Sequence, residues 1–199
     1  MIPRRLLLAQ LGAAALAACD KPPVAGRPRL ASDFGWNPET RSFQLMGEDL
    51  PVSRAWDFTA NSHGFTVAGA RARHIPGEGH EVTSESPDPI LRSPAGLDIA
   101  GAAADLVLVR LVRRRAVGAW DGALYYATER HGETGHYMNA PLNGPPPEGA
   151  ASVLVYDMTR MAKGGGDWRR SRIDQLRLDT ATAPDDVTLI SQIALARLV

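Results

Sequence analysis

Arg130-His131-Gly132-Glu133-Thr134-Gly135-His136-Tyr137 gathers more chemistry than any other stretch of this chain: two imidazoles, a guanidinium, a carboxylate and a phenol. It follows a short apolar run, Leu124 to Thr128, and so reads as a loop at the end of a strand, where binding residues tend to cluster. Aromatic faces suit the apolar side of a sugar ring, and Arg and His can hydrogen-bond its hydroxyls or carboxylates. Trp120, just before that run, and Tyr126 within it extend the set. Trp120, Tyr126, Arg130, His131, His136 and Tyr137 are therefore the candidate ligand-binding residues. Tyr125 and Tyr126 are adjacent, so on a strand one points into the core and the other to the surface. Of the remaining tryptophans, Trp36 is a further available ring, while Trp56 and Trp168 read as core members.

Other reactive groups carry less. His74-Ile75-Pro76-Gly77-Glu78-Gly79-His80-Glu81 holds two His and two Glu, but Gly and Pro give them no rigid ligand spacing, and the segment reads as a solvated loop. Glycoside hydrolysis needs two carboxyl groups about 5–10 Å apart. Glu129, Glu133, Asp121 and Asp157 are available for that, and no spacing selects a pair. No Gly-x-Ser-x-Gly elbow is present, and Gly164-Gly165-Gly166 reads as a connection, not a phosphate loop. An enzyme is not expected; a glycan hydrolase is the catalytic alternative. Arg113-Arg114-Arg115 is the one basic run. It reads as a solvated strand end, with anionic lipid or acidic polysaccharide as the other reading.

Met1-Ile2-Pro3-Arg4-Arg5 is a cationic start, and Leu6 to Ala18 is an apolar run broken only by Gln10. That run matches a signal-peptide core and is too short to span ~30 Å of hydrocarbon. It ends in Leu16-Ala17-Ala18-Cys19, which resembles the bacterial lipobox, and Cys19 is the only cysteine of the chain. The resemblance implies cleavage before Cys19 and its acylation, giving an exported, membrane-anchored lipoprotein of the cell envelope, on its periplasmic face or at the surface. More than one acyl chain is needed for lasting attachment. Arg4-Arg5-Leu6-Leu7 also resembles a twin-arginine signal, and Asp20 an inner-membrane retention signal; export route and membrane both stay open. Residues 1–18 are thus the signal peptide, and 19–30, with Pro22, Pro23, Gly26 and Pro28, a tether. Cleavage removes Arg4 and Arg5 and leaves 20 basic against 22 acidic residues. Nucleic acid, which is bound through clustered cations, is not an expected partner. One cysteine excludes a disulfide framework.

The side chains above must be positioned by residues 31–199. Gly, Pro, Asn and Asp punctuate this stretch about every ten residues, with short apolar runs between. Strands are predicted at 43–45, 65–67, 106–112, 124–128, 152–156, 173–179 and 187–195. Leu106 to Val112 reads as a central strand buried on both faces. In the last strand Val187, Leu189, Ile193 and Leu195 share one parity, and Pro184-Asp185-Asp186 marks the turn before it. Thr159–Lys163 is a short helical candidate, and Ala100–Ala104 an Ala-rich one. The prediction is an all-β sandwich of jelly-roll type over 31–199.

Ser86-Pro87-Asp88-Pro89, the Val107–Arg110 strand, Trp120-Asp121-Gly122-Ala123-Leu124-Tyr125-Tyr126, Trp168, Ile173 and Leu176-Arg177-Leu178-Asp179 together resemble galactose-binding-like, carbohydrate-binding-module jelly rolls. The likeness is loose over 30–199 and better over 86–195, and its motifs are mostly structural. It implies saccharide or envelope polysaccharide as partner. No cofactor is expected; folds of this kind often hold a structural calcium, for which no ligand residue aligns, and Asp88, Asp179, Asp185 and Asp186 are the available carboxylates, each equally an ordinary turn residue. The alternative is an assembly subunit docking an envelope protein through the same surface.

Overall fold

The computed structural model describes residues 30–198. Residues 1–29, on which the expected signal peptide, Cys19 and most of the expected tether fall, lie outside the described residues. The strands are β1 (Phe34–Asn37), β2 (Ser42–Leu45), β3 (Glu48–Asp49), β4 (Val52–Asp57), β5 (Thr66–Ala68), β6 (Ala70–Ile75), β7 (Gly79–Ser84), β8 (Ile90–Arg92), β9 (Ile99–Ala100), β10 (Leu106–Arg115), β11 (Leu124–Thr128), β12 (Met138–Asn139) and β13 (Ala151–Asp157). The single turn α1 (Asp167–Arg170) follows, then β14 (Arg172–Asp179) and β15 (Val187–Ala196). Among the described residues no helix is long and apolar enough to cross a membrane.

Three antiparallel sheets result. The first is the meander β1-β2-β3; the second runs β13-β10-β15-β7-β6, and the third β12-β11-β14-β8-β5. One edge of β15 is shared end to end, with β7 along Val187–Ile190 and β4 along Gln192–Ala196. The second and third sheets enclose the main core. Val107, Val109, Leu111, Leu154, Tyr156 and Ile193 meet Leu91, Leu124, Tyr126, Ile173, Leu176 and Leu178 there. Alternate residues of the same strands face the other way. Leu106, Leu108, Val155, Ala194 and Ala196 pack against Phe34, Phe43 and Leu50 of the meander and the chain beyond it. The apolar run 106–112 is therefore central and buried on both faces near its start, because two layers cover it.

The sandwich and most strand positions agree with the sequence expectation. Trp56 and Trp168 are core. Trp168 donates Nε1–H to Ala104 O at 2.8 Å, and it lies so close to Gly101 that a Cβ there would meet Trp168 O at 1.8 Å. Asp185 takes φ 66° in the turn before β15, a left-handed conformation that Asp tolerates.

Three local readings are corrected. Thr159–Lys163 is not a helix: the Asp157 carboxylate caps a turn by accepting from the Thr159 N–H, and Lys163 bridges back to Met138. Ala100–Ala104 is one 3-10 turn, Gly101–Ala103. The segment 74–81 is a hairpin, not a solvated loop. His74 pairs with His80 across β6 and β7, and His80 is 5% exposed, stacked on Phe58 at 5.8 Å.

The parity of β15 is also broken. Arg110 pairs with Gln192, but Leu111 pairs with Ile190, so Ser191 is an extra residue in the ladder. A bulge of this kind shifts which residues share a face. Ile190 thereby joins Ile193 and Leu195 in the main core, and Leu189 is displaced from it.

Candidate functional site

On β11 the alternation resolves the tyrosine pair. Tyr126 points inward and is 0% exposed; Tyr125 points outward, with the Arg177 guanidinium 4.6 Å from its ring centroid. Tyr126 is therefore a core residue, a correction to its place among the ligand-binding candidates. A ring closed on all sides presents no face to a sugar. Its hydroxyl donates to Asp167 Oδ2 at 3.3 Å, and burial, followed by the Asp167 charge, pushes the phenol's pKa up.

The loop after β11 folds over that hydroxyl. His131 Nε2 lies 2.9 Å from the same Asp167 Oδ2, and its Nδ1 lies 2.9 Å from Gly132 O. Tyr137 stacks on His131 with ring centroids 3.5 Å apart and planes within 7°. Gly164, at φ 96°, lets the chain lie against both tyrosines, since a Cβ would come within 3.0 Å of each. The fold thus does bring Tyr126, His131 and Tyr137 together, through Asp167. They engage one another, however: one face of Tyr137 is covered by the imidazole, and each imidazole nitrogen lies 2.9 Å from an oxygen acceptor, either of which its N–H can serve. Arg130 and His136 are exposed on the same loop, Arg130 beside Glu129 at 3.3 Å.

Trp120 stands apart, ahead of the N-terminal end of β11, while the loop lies beyond its C-terminal end. Five residues of strand at about 3.3 Å each separate the two. Trp120 is half-buried against the main core, with Arg113 above its ring at 5.7 Å. The six candidates do not form one surface.

The candidate carboxylates serve the fold. Glu133 makes a two-point ion pair with Arg92, at 2.7 and 2.9 Å. Glu129 accepts the Arg172 N–H at 2.8 Å. Asp121 accepts from Ala123 N, and Asp157 from Thr159 N and Oγ1. Asp88 and Asp179 face Arg177, Asp185 faces Arg115, and Asp186 is buried against Arg113. Burial raises the pKa of Asp179 even beside Arg177. Among the described residues no three His, Cys, Asp or Glu side chains converge as a metal shell. The basic run is likewise consumed by carboxylates: Arg113 by Asp186, Arg114 by Glu78 and Glu81, Arg115 by Asp185.

A different place is open. Between β1 and the outer face of β10 and β13 lies a cleft of about 460 Å³, lined by Phe34, Trp36, Pro38, Arg110 and Val153 among others. Clefts of ~300–1,000 Å³ hold small ligands. Trp36 shares the face of β1 with core residue Phe34 and is braced edge-on by Phe43 at 5.1 Å. The Arg110 guanidinium sits 5.0 Å from the Trp36 ring centroid. Arg110 Nη1 donates to Ser191 Oγ at 2.8 Å, at the bulge of β15. Burial first, then the neighbouring charge of Arg41, lowers the Arg110 pKa.

The sequence offers Trp36 only as an available ring and Arg110 as part of an apolar strand. The signal was the position itself: Val-Leu-Val-Arg-Leu-Val places one cation in the middle of a strand read as buried on both faces.

No protein-family model matches the chain, and no curated protein matches it by sequence. Solved structures resemble it distantly. A carbohydrate esterase from the Shiga toxin-encoding bacteriophage phi24B aligns with TM-score 0.47 and 14% identity, over 73% of this chain and 98% of that one. A mutant of a family 29 carbohydrate-binding module aligns with TM-score 0.44 and 8% identity, over 72% and 92%. A family 6 module from Clostridium stercorarium, solved with cellobiose, aligns with TM-score 0.41 and 8% identity, over 76% and 99%.

Proposed function

We propose that this protein is a lipid-anchored, non-catalytic saccharide-binding protein of the bacterial envelope, and that the Trp36–Arg110 cleft is its binding site. The observation that carries the reading is the pairing of a braced, half-buried indole with a guanidinium that keeps unused donors, in a cleft built on paired strands. An aromatic face takes the apolar side of a pyranose, and a nearby planar donor array takes its oxygens. A rigid sheet holds both with little entropy left to lose on binding. The Leu16-Ala17-Ala18-Cys19 stretch supports acylation and export, with the sandwich held off the lipid by the Pro-rich tether.

The non-catalytic part of the reading is supported by the engaged carboxylates. Glu133 is held by Arg92, Glu129 by the Arg172 amide, and His131 has an acceptor at each nitrogen. These contacts give each group a structural role in the fold.

The test is a glycan array probed with the full chain in mild detergent, beside Trp36→Ala. Reproducible binding that Trp36→Ala weakens supports the proposal. Silence across the array from folded protein overturns it, and a stable co-purifying envelope protein would then favour the assembly reading. Glycan turnover by the wild-type chain would overturn the non-catalytic part.

A further inference from the structure

Arg110 differs from every comparable arginine of the fold in what it lacks. Among the described residues five arginines are not exposed: Arg92, Arg110, Arg113, Arg114 and Arg177. Four of them face carboxylates, namely Glu133, Asp186, Glu78 with Glu81, and Asp179. Among these residues Arg110 faces none. Its one side-chain hydrogen bond goes to the neutral Ser191 hydroxyl, and its other side-chain neighbour is the uncharged Trp36 ring.

Among the described residues no carboxylate nearby is free to compensate it. Val153, Arg110, Gln192 and Asp57 form one row across β13, β10, β15 and β4, so Asp57 stands two strands away, about 10 Å. Asp57 is itself held by Arg41 at 2.7 Å and by Thr59 through both the amide and the hydroxyl. Arg41 adds positive charge on that side. Partly desolvating a cation without a counter-ion is costly, and the cost is relieved when an anion enters. The vacant edge of a guanidinium matches a planar carboxylate with two parallel N–H···O bonds.

We propose that the cleft selects a carboxylate-bearing saccharide, a uronate residue whose ring lies on Trp36 and whose carboxylate pairs with Arg110. This rests on the reading of the cleft as a saccharide site. One unmatched positive charge fits one carboxylate. A doubly charged phosphate would call for further cations, and the lining supplies Arg110 as its only charged side chain.

Position 151 offers a second way to probe the charge. Ala151 lines the cleft, is exposed, and pairs with Val112, so it shares the outer face with Arg110 as its diagonal cross-strand neighbour. Diagonal neighbours lie within reach of long side chains. Ala151→Glu would supply an internal counter-ion without touching the core.

The experiment measures binding of the detergent-solubilised full chain to uronate-containing bacterial polysaccharides, and to the same polymers after carboxyl reduction. Binding to the acidic polymers that falls about tenfold or more on reduction, in Arg110→Gln and in Ala151→Glu supports the proposal. Equal binding of acidic and reduced polymers overturns it while leaving saccharide recognition intact. Binding of neither, by folded protein, overturns both. If Arg110→Gln fails to fold, Ala151→Glu decides alone: undiminished binding in that variant overturns the proposal.

Discussion

Ser191 and Arg110 hold each other across a β-bulge. The Ser191 hydroxyl accepts from Arg110 Nη1 at 2.8 Å and donates to the Arg110 carbonyl at 3.2 Å. The bulged residue is thus the one that aims the cation, a usual role for bulges beside binding sites. Ser191→Ala should leave the sheet intact and release the guanidinium. A hydrogen bond of this kind is worth about 1 kcal/mol. Affinity for an acidic glycan should therefore fall about fivefold by titration calorimetry, with a similar loss of stability in urea. Unchanged affinity would show that the bulge does not position the site.

Trp36 and Trp168 should separate function from folding. Trp168 is fully buried, and its truncation to Ala should cost about 3–5 kcal/mol. Trp36 is half-buried and belongs to the smaller outer cluster, so Trp36→Ala should remain folded by circular dichroism. Its glycan affinity should nevertheless drop about tenfold, the equivalent of about 1.4 kcal/mol of lost ring contact. A large fall in melting temperature for Trp36→Ala would make its role structural.

Arg113 and Asp186 form a buried ion pair, and Asp186 also accepts the Val117 amide at 3.2 Å. Arg113→Met leaves an uncompensated buried carboxylate, which should cost about 3–5 kcal/mol. Adding Asp186→Leu removes that charge and should recover part of the loss. The recovery stays incomplete because the Val117 amide loses its acceptor. Chemical denaturation of the wild type, the single and the double variants gives the coupling directly.

His80 should make stability fall in mild acid. Burial, and then the charge of His74 opposite, lowers its pKa, and among the described residues neither of its ring nitrogens has a hydrogen-bond partner. The folded state therefore holds fewer protons than the unfolded state, in which His titrates near about 6.5. The contribution is fully present above that value and is lost as pH falls towards the lower folded-state value. The slope cannot exceed about 1.4 kcal/mol per pH unit for one proton. His80→Phe, which keeps an aromatic ring against Phe58, should flatten the slope between pH 7 and 5. A slope that persists unchanged in this variant would assign it to other groups.

The class of the fold was readable because it rests on local features. Runs of β-branched residues with period two, cut by Gly, Pro and Asp turns, locate β10, β11, β13, β14 and β15 to within a few residues. The same pattern placed Trp56 and Trp168 inside. A cationic start, an apolar run and a Leu-Ala-Ala-Cys ending are equally local, which is why acylation and export can be proposed from sequence at all. That Tyr125 and Tyr126 oppose each other also follows from the pleat of one strand.

Which of the two faces inward does not follow, because that depends on where the other sheet lies. The same holds for the site. The end loop looked open in sequence, yet Asp167 and Gly164, some 30 residues further along the chain, close it over His131 and Tyr137. Arg110 acquires meaning only when the meander 34–49 covers half of β10 and leaves Trp36 beside it. The bulge at Ser191 is a mismatch between two strands 80 residues apart, so neither strand alone encodes it. Local pattern decides which residues become strands. Non-local pairing decides which of their side chains are left without a counter-ion, as Arg110 is among the described residues.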